Sequence, residues 1–401
     1  MSKTILFITT HNLATNPRLV KEIDLAIRND YSVIVICFEF NNWSFKINNE
    51  IKEKYSKVNF VTISAGKKPF VPWFGSMFKE KMYRLISYLF DLPTSMNAQA
   101  VSRRSDLLIR ALNEIESADL VIGHNPGALN ATVIAAKKFN CNCGFDIEDY
   151  HPGEGQNKHL QNLVLKIMNE LLPKLNYLSF ASESILQEIN SKITFGQNQI
   201  LFPVLNLFNA NEFQIPKDNN GDKMKLVWFS QHIDFNRGLE KIVPIIYKYH
   251  NLIELHLYGN LSSDFEEKII KNKYGIVIHP SISQIELHHE LANCDIGLAI
   301  EPGKDLNNNL AVSNKIIAYF QSGIYILATD TQAQNNFLTL HHNHGVLTDK
   351  SFSNFENILL KLVSEILSIR KNKLKRFENA QHQNWDTESI ILKNTWKQLT
   401  Q

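Results

Sequence analysis

Cysteine is scarce in this chain: Cys37, Cys141, Cys143 and Cys294 are the four in 401 residues. Only Cys141-Asn142-Cys143 forms a close pair, so no zinc-ligand spacing is complete and no disulfide framework is expected. Such usage suits a reducing compartment. An excess of either charge is lacking as well. Lys plus Arg is 42 and Asp plus Glu is 40, a net charge of +2, which argues against a dedicated nucleic-acid binder. No apolar run approaches the ~18–20 residues of a membrane span. The opening MSKTILFITTH turns polar too soon for a secretory signal and reads as a first strand. No G-x-G-x-x-G follows that strand, so the nicotinamide fingerprint is missing from its place.

What the chain does have is core-forming material: 44% hydrophobic residues, 24 of them Phe. Its length exceeds one typical core, and two domains of ordinary size fit better. The most informative stretch runs from Asp295 to Thr329. Ile296 to Ile300 is an unbroken apolar run, as in a buried parallel strand. A polar loop with Asn307, Asn308 and Asn309 follows. Ser313 is placed to cap a helix carrying Ile316, Ile317 and Phe320, and Gly323 closes it before a strand from Ile324. In open α/β sheets, ligands bind beyond the strands' carboxyl ends. There, Glu301 is placed to accept from hydroxyls, and the amides near Ser313 with Lys315 are placed to hold an anion. The plainer alternative is an ordinary loop with a structural acid and a solvated lysine.

The same pattern recurs along the chain. Residues 4–10 form a strand, Asn16-Pro17 caps a helix with Leu19, Ile23, Ala26 and Ile27 on one face, and Tyr31 to Phe38 is the next strand. Strands follow at 58–64, 119–123 and 143–147, with polar groups at their ends: His11, His124, and the Glu148–Asp149–Tyr150–His151 group. Asp146 is read as bracing its loop through backbone hydrogen bonds. Residues 67–84 alternate cations (Lys67, Lys68, Lys79, Lys81, Arg84) with Phe70, Trp73, Phe74 and Phe78. This segment suits an anionic membrane interface, and equally a loop and helix packed by their aromatic side. The expected organisation is a first α/β domain at 1–206, an asparagine-rich linker at 207–221 and a second α/β domain at 222–375. Two helices, at roughly 351–369 and 371–399, close the chain.

Several motifs carry a resemblance: Thr10 to Ile23 (THNLATNPRLVKEI), Ile122 to Leu129 (IGHNPGAL) and Phe145 to Pro152 (FDIEDYHP) in the first half. Trp228 to Glu240 (WFSQHIDFNRGLE), the GLAIEP segment and Ser313 to Gly323 carry it in the second. In this order the chain resembles retaining nucleotide-sugar glycosyltransferases of the GT-B fold. They form a large bacterial family, similar to glycosyltransferase family 4, that builds lipopolysaccharide, capsule and exopolysaccharide. The resemblance implies two doubly wound Rossmann-like domains facing across a cleft, the first taking the acceptor and the second the nucleotide sugar. It also implies a C-terminal helix at 376–401 that crosses back to the first domain.

The family pattern transfers residue by residue. Arg237-Gly238 matches the basic residue and glycine that hold donor phosphate, where a guanidinium fork suits phosphate oxygens. Gln231 stands where many relatives have a second arginine. Glu301 matches the acid near the transferred sugar, with Asp305 the alternative, and Ser313, Asn314 and Lys315 match the helix start at the diphosphate. Ala318 occupies the position of the usual ribose-binding glutamate, which puts that clamp in doubt. On the acceptor side Glu148 and Asp149 match the positions near the reacting sugar, joined by His151 and His124. No metal or other cofactor is implied, because helix N-termini and cations hold the diphosphate.

The implied reaction is retaining transfer of a sugar from a nucleotide diphosphate sugar to a lipid-linked glycan or related surface-polysaccharide precursor. Domain closure would bring the halves into register. The implied place is the cytoplasm, peripheral on the cytosolic face of the inner membrane. Two rivals stand beside it: an epimerase of similar fold, which needs no acceptor, and a degenerate, non-catalytic scaffold, for which Ala318 and Gln231 speak.

Overall fold

Alternating buried strands and amphipathic helices give each half of the chain its own parallel sheet. The computed structural model describes residues 2–66, 70–217 and 221–401. Lys67, Lys68 and Pro69 of the aromatic-basic segment lie outside the described residues, as do Asn219 and Asn220 of the expected linker. The chain divides into two units, residues 1–204 with 389–401, and residues 205–388.

The first unit holds β1 (Thr4–Thr9), β2 (Ser32–Glu39), β3 (Asn59–Ser64), β4 (Leu120–His124), β5 (Asn142–Ile147), β6 (Tyr177–Phe180) and β7 (Ile200–Pro203). They form one sheet in the order β3-β2-β1-β4-β5-β6-β7, all parallel. The order reverses between β1 and β4, which places the ligand crevice outside their carboxyl ends. Asn16 caps the helix Pro17–Arg28 by accepting from the Leu19 amide, with Pro17 preset for its first turn. The last helix, Ile390–Leu399, belongs to this unit. Its Trp396 is buried, donates Nε1–H to the Tyr177 hydroxyl at 2.9 Å, and packs edge-on against Phe7.

The second unit holds β8 (Met224–Ile233), β9 (Ile253–Leu261), β10 (Ile276–His279), β11 (Ile296–Ala299), β12 (Tyr325–Thr329) and β13 (Gly345–Thr348), in the order β10-β9-β8-β11-β12-β13. Its reversal lies between β8 and β11. Gly323 ends the helix Asn314–Gln321 at φ 72°, and a Cβ there would stand 2.6 Å from Phe377 Cβ.

Three expectations about this half need correction. The stretch from 207 is no bare linker: Leu207, Phe208 and Phe213 are buried in the second core, and Phe208 exchanges backbone hydrogen bonds with the Gln321 amide group. The asparagine run is a short helix, Leu306–Leu310, because Asp305 accepts from the Asn308 amide at 2.8 Å and caps it. The closing helices are not two but a series: Phe355–Ser364, Ile366–Lys371, Lys373–Gln381, Trp385–Glu388 and Ile390–Leu399. The segment from 376 to 388 stays in the second unit. Arg376 donates to the Gly323 carbonyl, and the Trp385 amide to the Phe208 carbonyl. Among the described residues no helix is long and apolar enough to cross a membrane.

Candidate functional site

At the first sheet's reversal the side chains form a buried charge network. His124 ends β4 fully out of water. Its Nε2 is 3.3 Å from Glu22 and its Nδ1 is 3.0 Å from Glu148. Arg18, also buried, sets Nε 2.6 Å from Asp146 Oδ2, and Ser179 donates its hydroxyl to Asp146 Oδ1 at 2.5 Å. Asp146 therefore does not brace its loop through the backbone, as the sequence suggested. It is a side-chain partner for the first helix.

Electrostatics follow from this packing. Burial by itself would strip the His124 proton, but Glu22, Glu148 and Asp146 outweigh it and push the pKa up to about 10. Burial raises Asp146 to about 6 against the pull of Arg18. Glu148 is held below the ordinary carboxylate range: burial opposes this, and the His124 hydrogen bond and charge win. Glu148 is also the member that keeps a solvent-facing edge, with 19% of its side chain exposed. Beside it, His151 Nδ1 lies 3.2 Å from Glu154, whose pull, joined by Asp149 and Glu148, raises the imidazole against burial. His11 is lowered by burial.

The structure thus brings His124 and Glu148 into contact, with Asp149 and His151 adjoining them. The sequence reading missed Arg18 and Glu22. Their spacing of four inside the stripe Leu19, Ile23, Ala26 was the available signal. His124, Asp146 and Glu148 set ligand atoms within 4.8 Å of one another, a metal-like spacing. The Arg18 guanidinium, 2.6 Å from Asp146, competes with any ion for that carboxylate.

At the second sheet's reversal lies a cavity of about 430 Å³. Phe229, Ser230 and Gln231 from β8, Tyr258 and Gly259 from β9, Ser281 and Ile282 after β10, and Asn314 and Lys315 line it. Ser313 caps the helix Asn314–Gln321 by accepting from the Ile316 amide. Among the described residues the amides of Asn314 and Lys315 have no partner, at a positive dipole end. Lys315 Nζ is 2.7 Å from Glu301, which also accepts from Asn308 at 2.9 Å. Glu301 is thus spoken for by Lys315 and sits off the cavity wall.

Gln231, Asn314 and Lys315 line the cavity; Arg237 and Gly238 do not. Arg237 is exposed on the loop before the helix Leu239–Lys248. Gly238 is buried at φ 85°, where a Cβ would meet Ile300 Cγ2 at 2.7 Å, which gives this glycine a packing reason. Ala318 is fully buried in the core. The cavity's other polar wall, Gln284 and His288, went unread in the sequence. Glu212 accepts from Gln284 at 2.7 Å and lies 3.2 Å from His288 Nδ1. Burial would raise Glu212, yet these partners pull it down to about 2.

No family model matches this sequence, and no curated protein matches it either. Solved structures do match, over nearly the whole chain. Anabaena HepE, crystallised with UDP, aligns with a TM-score of 0.66 at 14% identity, covering 100% of both chains. TarM gives a TM-score of 0.66 at 12% identity, over 100% of this chain and 99% of that one. WaaB, a lipopolysaccharide outer core galactosyltransferase, gives 0.56 at 12% identity, over 94% and 98%. The chain has the GT-B fold. Both reversal sites therefore sit in doubly wound GT-B units, the expected fold class.

Proposed function

We propose that this GT-B chain is a retaining glycosyltransferase. It moves a sugar from a UDP-sugar to a hydroxyl of a lipid-linked glycan or other surface-polysaccharide precursor. One observation carries the proposal: the second unit's cavity ends on the free amides of Asn314 and Lys315, with the Lys315 ammonium beside them. That arrangement suits a diphosphate. Uridine is favoured because HepE was crystallised with UDP and S. aureus TarM, as a variant, with UDP and a GlcNAc-glycerol. The lipopolysaccharide substrate named for WaaB favours a surface glycan as acceptor.

In this reading the bond from the anomeric carbon to the diphosphate oxygen breaks while a bond to the acceptor oxygen forms on the same face. The acceptor's proton passes to a leaving-phosphate oxygen, so no protein nucleophile is needed. The amides and Lys315 stabilise the charge that develops on the leaving group. Glu301 shares Lys315 and approaches the sugar hydroxyls through it. Arg237, exposed on the loop before the helix Leu239–Lys248, reaches the phosphates when donor is present. Glu148, pinned by His124, presents a charged oxygen to the acceptor, with Asp149 and His151 flanking it. The charges on this chain suffice without a metal ion.

The reading places the enzyme on the cytosolic face of a membrane through the helix Phe70–Ile86. Phe70, Val71, Phe74 and Phe78 are exposed there. Its cations contribute less than the sequence suggested, since Lys79 faces Asp106 at 3.6 Å and Arg84 is bound to Glu80 and the Ala100 carbonyl. The second reading is a degenerate, non-catalytic scaffold, favoured by the buried Ala318.

Saturation-transfer NMR against UDP-, GDP-, dTDP- and CMP-sugars tests the donor site. Uridine-selective binding that Lys315→Met weakens supports it. Absence of binding to the whole panel by folded protein rejects it in favour of the scaffold. Product analysis with donor alone separates transfer from epimerisation.

A further inference from the structure

The first unit carries a second cationic cluster that the reaction above leaves idle. Arg103 and Arg104 stand side by side before the helix Ser105–Ala111. Neither has a carboxylate at ion-pair distance among the described residues. Arg104 donates Nη1–H to the Thr10 carbonyl at 2.6 Å and lies over the rings of Phe40 at 4.6 Å and Phe38 at 5.2 Å. Arg103 lies over Trp73 at 5.8 Å. Glu80, the acid whose charge reaches Arg104, is already bound to Arg84 at 2.6 Å. Burial and the neighbouring Arg103 pull Arg104 down to about 10, so the pair sits together at a cost that an anion would relieve.

The two guanidinium groups border a cavity of about 120 Å³ whose wall includes Ser64 and Ser76. Sites for whole drug-sized ligands run to ~300–1,000 Å³. This one suits a phosphoryl group, and paired guanidinium forks suit its several oxygens. The helix that supplies Trp73 and Ser76 also exposes Phe70, Phe74 and Phe78. These form a ladder every fourth residue, with ring centroids 5.7 and 6.5 Å apart. An anionic pocket-filler and an apolar track on one helix match an amphiphile, head and tail.

We propose that the Arg103–Arg104 pocket binds the phosphate or diphosphate of the acceptor, and that a lipid carries this group with its chain along Phe70, Phe74 and Phe78. The proposal rests on the acceptor assignment above.

Isothermal titration of the full chain with farnesyl diphosphate, inorganic pyrophosphate and farnesol tests it. Farnesyl diphosphate is expected to bind more tightly than pyrophosphate. Arg103→Gln should weaken both by about tenfold or more, and Phe74→Ser should weaken farnesyl diphosphate alone. Arg103 lines the pocket and has no hydrogen-bond partner among the described residues, so its variant tests binding rather than stability. Equal binding of the two anions, indifferent to Phe74→Ser, overturns the lipid carrier. Binding of neither anion overturns the pocket, as does binding that UDP displaces and Arg103→Gln leaves intact. UDP titration of the same samples separates the two readings. UDP silence with Arg103-dependent diphosphate binding rejects the donor assignment and supports this subsite.

Discussion

At the β1/β4 reversal of the first sheet, Arg18, Glu22, His124 and Asp146 touch one another out of water, with Glu148 at their solvent-facing edge. At the β8/β11 reversal of the second, the same topological position is an open cavity whose walls mix apolar rings and uncharged polar groups with one lysine. The difference traces to the helix that follows each sheet's first central strand. Pro17–Arg28 turns Arg18 and Glu22 inward together with Leu19 and Ile23. Leu239–Lys248 turns in Leu239, Ile242, Val243 and Ile246 alone. A topology fixes where a crevice opens; the inward face of one helix decides whether it is filled with charge or left for a ligand.

The comparison breaks most sharply at Arg18. Arg18→Met leaves the buried carboxylates of Glu22 and Asp146 with His124 as their one remaining cation, and the first unit should lose ~3–5 kcal/mol in urea unfolding. A loss near zero would mean the network is not structural. His124 sharpens the point through pH. Its pKa is raised from 6.5 to about 10, so its stabilisation is full below 6.5 and is lost as pH rises through about 10. The stability gap between wild type and His124→Gln should therefore narrow across that window. Asp146, raised to about 6, acts at lower pH and does not overlap it. A gap that stays constant would show that His124 is neutral.

In the second unit the effects are smaller. Gly238→Ala should cost ~1–2 kcal/mol for its positive φ, with crowding at Ile300 added, as measured by thermal unfolding. Unchanged unfolding would mean that the loop relaxes. Lys315→Met should weaken UDP binding by about tenfold while leaving unfolding in place. Arg237→Ala should weaken it by less than about fivefold, since that side chain stands exposed off the cavity wall. The reverse ranking would move the diphosphate toward the Arg237 loop.

The elements readable from sequence were those with short-range causes. Buried strands announced themselves as apolar runs, and Asn16-Pro17 and Ser313 announced helix starts because a cap acts within three residues. Two of the misreadings share one origin. Asparagine-rich composition hid the apolar anchors Leu207, Phe208 and Phe213, and hid the cap that Asp305 gives to Leu306–Leu310.

By itself, the sequence determined two α/β halves, their strand ends, and the candidates His124, Glu148, Asn314 and Lys315, because periodicity and caps are local. Tertiary structure decided who meets whom. Arg18 finds Asp146 across 128 positions, Gln284 and His288 find Glu212, and Lys315 spends its charge on Glu301. A charge's partner, and with it the protonation state, depends on distance and burial in the folded chain, which spacing along the sequence does not encode.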